Sequence, residues 1–138
     1  MADIMTKEQR SRCMASVKSM NSRPELELRS ALHALGFRYR LHVKGLPGTP
    51  DLVFASRRKV IFVHGCFWHR HSCASGRSTP QTRVKFWKDK FQKNLDRDRH
   101  IQAALQAEGW DFMVVWECNL RGEKLQSTIL DVRQFLAL

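Results

Sequence analysis

Apolar positions recur along this chain in two periods, and the places where one gives way to the other outline the elements. Residues 1–21 are polar and carry no clear period. Then Ser22-Arg-Pro-Glu25 joins a capping serine to a glutamate three residues on and a proline in the first turn, the signature of a helix start. Leu28, Ala31, Leu32 and Leu35 follow at helical spacing until Gly36 stops them. From there Phe37, Tyr39, Leu41 and Val43 alternate with Arg38, Arg40 and His42, which predicts a strand with one buried and one cationic face. The loop 44–50 delivers the chain to Asp51, and residues 52–54 and 59–63 then read as two strands of a hairpin joined by a short polar turn.

The next stretch, 64–73, reads His-Gly-Cys-Phe-Trp-His-Arg-His-Ser-Cys, and 74–82 is a polar loop without period. A long helix is predicted over 83–108, with Trp87, Phe91, Leu95, Ile101, Ala104 and Leu105 on one side, Gly109 as its stop and Asn94 as the place for a break. Residues 110–116 predict a strand of the fully buried kind, and Leu125, Thr128, Ile129, Val132 and Leu136 a closing amphipathic helix. The last strand needs the long helix as its crossover, so the expected fold class is α/β, a mixed central sheet flanked by helices. Residues 1–21 are expected to form a mobile N-terminal arm and residues 22–138 a single domain.

Composition narrows the function. With 138 residues, 43% of them hydrophobic, the chain can bury a sizeable core, which argues against disorder and against a disulfide-stapled miniprotein. Its 24 Lys plus Arg against 13 Asp plus Glu leave a net charge of +11, which asks for a polyanionic partner. No basic helix has the broad apolar face that lying on lipid requires, so nucleic acid is expected and a membrane is not. The longest apolar runs, 60–63 and 112–116, are too short to cross a bilayer, and residues 1–10 lack the apolar core of a signal peptide. A cytoplasmic location follows, where the four cysteines more often bind metal, react or pack than pair.

Three groups of residues carry candidate chemistry. Cys66, Cys73 and Cys118, with a histidine drawn from His64, His69 or His71, have the makings of a closed tetrahedral zinc site; the competing reading is three packed cysteines and an unrelated histidine. Cys13 is a spare thiol. Second, pairing of the hairpin brings Asp51 and His64 to one edge of the sheet, where the following loop can add His69. A carboxylate for a hard cation such as Mg²⁺ and an imidazole able to take a proton from water together describe metal-assisted phosphodiester hydrolysis; in the bland reading Asp51 caps a turn and the histidines serve zinc. Third, Phe67, Trp68, Phe86 and Trp87 stand among basic residues, as an apolar wedge between base pairs requires, or else they pack in the core.

Pro50-Asp51, the run from His64 to Cys73 and Trp116-Glu-Cys118 resemble the very-short-patch (Vsr) mismatch repair endonucleases, as do the arm's Met14-to-Ser19 pattern, the Ser-x-Pro-Glu helix start, Gly48-Thr-Pro-Asp51 and Trp87-Lys-x-Lys-Phe91. The resemblance implies a restriction-endonuclease-like core with a structural zinc, and a strand-specific nick beside the thymine of a T:G mismatch left by deaminated 5-methylcytosine. It implies that Asp51 and the backbone carbonyl of Val63 hold Mg²⁺, that His69 is the general base, that His64 assists at the phosphate or leaving group, and that Glu25 supports this network. It also implies zinc on Cys66, His71, Cys73 and Cys118, a wedge of Phe67, Trp68 and Trp87, and an arm that clasps the duplex. A monomer is implied, bacterial and nucleoid-associated, acting on double-stranded DNA, with mismatch-repair proteins as further partners. Val63 stands where threonine is common, and Arg70, in what is often a histidine run, is expected to add a phosphate contact. Phe62 and His64 replace the second acid and the lysine of the wider nuclease pattern, which supports a histidine-based variant. The competing classes are a noncatalytic zinc-stabilised DNA-binding module and an RNA-directed nuclease or binder.

Overall fold

Ser22 caps the first helix as its sequence demands: its hydroxyl accepts from the Glu25 amide at 3.5 Å, and Pro24 sits in the first turn. This helix, α1 (Arg23–Ala34), buries Leu28 and Leu32 completely and gives way to Gly36 at φ 96°, a left-handed conformation that glycine adopts without strain. The computed structural model describes residues 22–137, so the expected arm, 1–21, and Cys13 lie outside it.

The predicted strand at 37–43 is much shorter. β1 spans only Arg40–Leu41, because His42 takes a left-handed φ of 46° that ends the ladder and reverses the alternation. Phe37 and Tyr39 still pack edge-on against Phe54, at 6.3 and 5.7 Å between ring centroids. Beyond them Leu41 turns outward, 37% exposed, and the His42 side chain turns inward. The hairpin forms as predicted from β2 (Leu52–Phe54) and β3 (Lys59–His64), antiparallel with Leu52 opposite Ile61. A one-turn helix, α2 (Ala74–Arg77), occupies part of the predicted loop. The long helix, α3 (Val84–Ala107), runs unbroken through Asn94, whose amide donates to the Trp68 carbonyl at 3.0 Å.

That helix is the crossover to β4 (Asp111–Trp116), which lies parallel to β3 and closes a mixed sheet in the order β1-β2-β3-β4. At the edge of the sheet β4 is less buried than its apolar sequence suggests: Val115 is buried, whereas Asp111 is exposed and the rest are half-buried. α4 (Lys124–Ala137) follows. The two-residue period of the strands divides the core. Leu52, Ile61 and Val115 meet Leu28, Leu32, Val132 and Leu136 under α1 and α4, while Val53, Val60 and Phe62 meet Leu105 of α3 on the other face. Among the described residues no helix is long and apolar enough to cross a membrane.

Candidate functional site

Antiparallel pairing of β2 with β3 sets Asp51, just before β2, beside Val63, near the end of β3. The Val63 amide donates to Asp51 Oδ2 at 2.7 Å and fixes the carboxylate. The capped first turn of α1 delivers Glu25, 2% exposed, to the same place. Glu25 Oε2 accepts from Arg29 at 2.9 Å and lies 3.0 Å from His42 Nε2, which is 3.6 Å from Asp51 Oδ1. One donor atom from each of Glu25, His42 and Asp51 falls within 4.8 Å of the others. Burial raises the Asp51 carboxyl to about 7; the Val63 amide opposes the shift and the neighbouring Glu25 reinforces it. Such a buried carboxylate pair is suited to receive a cation.

A cleft of about 590 Å³ opens between this group and a second one on its far wall. There the His64 and His69 rings stack at 3.8 Å, nearly parallel, and His69 Nδ1 lies 2.7 Å from Asp98 Oδ2 of α3. With an accepting carboxylate on Nδ1, the neutral tautomer of the ring has its proton there and its lone pair on Nε2, the arrangement a general base needs. Burial, with the adjacent His69, lowers His64 to about 4, so that ring is neutral near pH 7. Lys44 and Arg97 also line the cleft and add positive charge that suits an anionic group.

Behind the histidines, Cys66, His71, Cys73 and Cys118 place one donor atom each within 4.8 Å of one another, a set able to hold a metal. Cys118 Sγ lies 3.4 Å from His71 Nδ1, near the edge of about 3.6 Å expected for a zinc tetrahedron of this kind. Burial pushes the Cys66 thiol up to about 12, whereas the Gly76 amide draws Cys73, which caps α2, down to about 6. His64 and His69 belong to the cleft instead, so His71 is the histidine that joins the cysteines.

The aromatic residues form one cluster on the first turns of α3. Phe67 meets Trp68, Trp87 and Phe91 edge-on at 5.1 to 5.7 Å, and Lys90 lies 5.7 Å over the Trp68 ring. Phe67, Trp68 and Trp87 are all half-buried, leaning on the helix while keeping part of their surface accessible. Arg70 does not reach outward as expected. Its guanidinium donates to the Ser78 carbonyl and Thr79 Oγ1 and lies 4.0 Å over the Phe91 ring, so it braces the cluster.

The sequence reading missed two residues, His42 and Asp98. His42 carries no local signal, because the left-handed turn that brings it inward is not written in a histidine. Asp98 does: Phe91, Asn94, Asp98, Ile101 and Leu105 share the inward face of α3, and a carboxylate on that stripe needs a partner.

Comparison with known proteins gives the lineage. The family described as DNA mismatch endonuclease Vsr matches residues 2–75. The type II nicking enzyme V.XorIIP of Xanthomonas oryzae pv. oryzae (strain KACC10331 / KXO85) is 52% identical over 120 residues, covering 87% of this chain and 88% of that protein. The DNA mismatch endonuclease Vsr of Escherichia coli (strain K12) is 43% identical over 134 residues, 96% of this chain and 85% of its own length. The type II nicking enzyme V.NaeI of Lentzea aerocolonigenes is 37% identical over 128 residues, 89% of this chain and 74% of its own. With a family match over more than half its length and relatives this similar along most of it, the chain belongs to the DNA mismatch endonuclease Vsr family.

Proposed function

We propose that this chain is a Mg²⁺-dependent endonuclease that nicks double-stranded DNA beside the thymine of a T:G mismatch, and that its cysteine cluster holds a structural zinc. The observation that carries the reading is the convergence of Asp51 and the His64–His69–Asp98 group on one cleft. A carboxylate for a hard cation faces a base whose tautomer is fixed by a second carboxylate. The names of the relatives, mismatch endonuclease and nicking enzymes, support the same activity.

Asp51, anchored by the Val63 amide, and the Val63 carbonyl would hold the magnesium. An ion held there would supply Lewis-acid chemistry, polarising the scissile phosphate and offsetting its developing charge. His69 Nε2 accepts the proton of the attacking water, while Asp98 keeps the ring oriented and stabilises it once charged. His64, neutral in the free protein, donates one N–H towards the phosphate or leaving oxygen. Glu25 holds His42 and stands beside Asp51, fixing the wall that carries the cation. Cys66, His71, Cys73 and Cys118 are soft and borderline donors that fit zinc and would fill its four positions, so a zinc held there would lock the loop 66–73. Phe67, Trp68 and Trp87 then form the wedge that enters the duplex where a mismatch lowers the unstacking cost.

The test is incubation with Mg²⁺ and three duplexes: T:G-mismatched DNA, its matched control and RNA. A nick in the thymine strand of the first alone is expected. Binding without cleavage would leave a DNA-binding module, and cleavage of RNA would change the substrate class.

A further inference from the structure

The zinc-type cluster and the histidine pair have no side chain in common, yet one residue outside both touches each of them. Trp116 ends β4 opposite His64 in the parallel ladder, two residues before Cys118. One face of its indole stacks on His71 at 4.4 Å and 18°. Its edge meets His64 at 5.3 Å and 77°, and His69 lies 6.4 Å away at 69°. His64 in turn stacks on His69, which is bonded to Asp98 on α3. The result is a continuous file of rings from a cluster ligand to the long helix.

The plane of an imidazole needs such neighbours. Rotation about its last side-chain bond is broad and nearly two-fold, so a buried ring takes its plane from the surfaces it lies against. Three aromatic rings lie against His64: Phe62 at 5.8 Å, Trp116 and His69. Phe62 is its neighbour on the same strand and His69 stands on the loop that follows, so Trp116 is the ring that ties His64 to the adjacent strand β4. An indole offers a flat, rigid edge that an aliphatic side chain of similar bulk does not.

We infer that Trp116 is a positioning residue: clamped by His71, it sets the plane of His64 and, through the stack, that of His69, so the metal-type cluster reaches the nicking step through one ring. This rests on the reading of His64 and His69 as the reacting pair, and the experiment separates the two. W116L and W116F are compared with the parent for zinc content, affinity for a T:G duplex, single-turnover nicking at saturating Mg²⁺, and the His64 ring-proton signals of the DNA-free protein. Those signals are assigned by their loss in H64N. W116L should keep its zinc and its DNA affinity, nick roughly ten- to a hundredfold more slowly and show displaced His64 signals, because small misplacements of reacting groups cost rate steeply. W116F should recover most of the rate. Parent-like nicking by W116L, slow nicking with unmoved His64 signals, or loss of zinc would each overturn the inference; if W116L does not fold, W116M carries the same reading. A parent protein that fails to nick would refute the activity instead, while displaced His64 signals would still establish the positioning.

Discussion

Burial lifts the Asp51 carboxyl to about 7, and that shift ties cation binding to stability. A carboxyl whose folded pKa lies above its unfolded value, near 3.9, stabilises the fold fully below that value, and the contribution is lost as pH rises through 7. The metal-free parent therefore bears the whole cost at pH 8. D51N keeps an oxygen to accept from the Val63 amide but carries no charge, so its Tm should exceed the parent's at pH 8 and match it near pH 4. The gain is of order a few kcal/mol at most, each pKa unit being worth about 1.4. Mg²⁺ should raise the Tm of the parent and not of D51N, and D51N should not nick. A lower Tm for D51N at pH 8 would show that Asp51 is not the strained group. Across the cleft, H69A should lower single-turnover nicking about 10²- to 10⁴-fold, the range for a lost general base, with zinc retained. D98N should fall in the same direction, since an amide can turn the ring to the wrong tautomer. An unchanged rate in H69A would require another base.

Among the elements, those written by period and punctuation were legible. Ser22, Pro24 and Glu25 fix where α1 begins, the hairpin follows from short apolar runs around a polar turn, and the parallel pairing of β3 with β4 follows from a helix too long to be anything but a crossover. The four cluster residues were legible as residue types, though spacing left the histidine open; the resemblance pointed to His71, and the path of the chain brings that ring to the cysteines. Apart from Asp98, whose place on the inward stripe of α3 is a signal, what escaped depends on backbone conformations without a composition signal: the left-handed turn at His42 shortens β1 and adds a ring to the site, and α2 forms around Cys73 rather than by apolar period. The loop before Asp51 shows how such conformations position chemistry. Gly48 is at φ +75°, and a Cβ there would lie 2.5 Å from Ile101 Cγ2 on α3. G48A should therefore lose about 1–3 kcal/mol through backbone strain and overpacking, read as a lower urea midpoint. It should also weaken Mg²⁺ binding, because the displaced loop carries Asp51; an unchanged midpoint would mean that α3 yields freely.

For the molecule as a whole, the proposed function asks three kinds of contact to meet one duplex, and each should have its own response. The two metals should separate first. EDTA-treated protein that still holds one zinc should regain nicking on Mg²⁺ alone, because the four cluster donors suit a closed zinc site while Asp51 would offer oxygen to a hard ion; a need for added zinc would reverse the roles. The net charge of +11 acts on any sequence, so affinity for matched and mismatched DNA should fall in parallel as salt rises. On the proposed reading, recognition of the mismatch would fall to the aromatic cluster, whose geometry says which ring to remove. Phe67 is braced by Phe91 at 5.1 Å and by Trp87 at 5.7 Å, so its loss disturbs packing as well as any contact with DNA. Trp68 is held by its contacts with Phe67 and Trp87 and lies under Lys90 at the rim of the cluster. W68A should keep its fold and the salt slope of binding, because the phosphate contacts remain, and should narrow the preference for T:G over T:A duplexes about tenfold or more, as loss of one stacked contact implies. Addition of F67A should narrow it further at some cost in stability. Equal weakening on both duplexes would assign the rings to the core and leave discrimination to polar groups on α3.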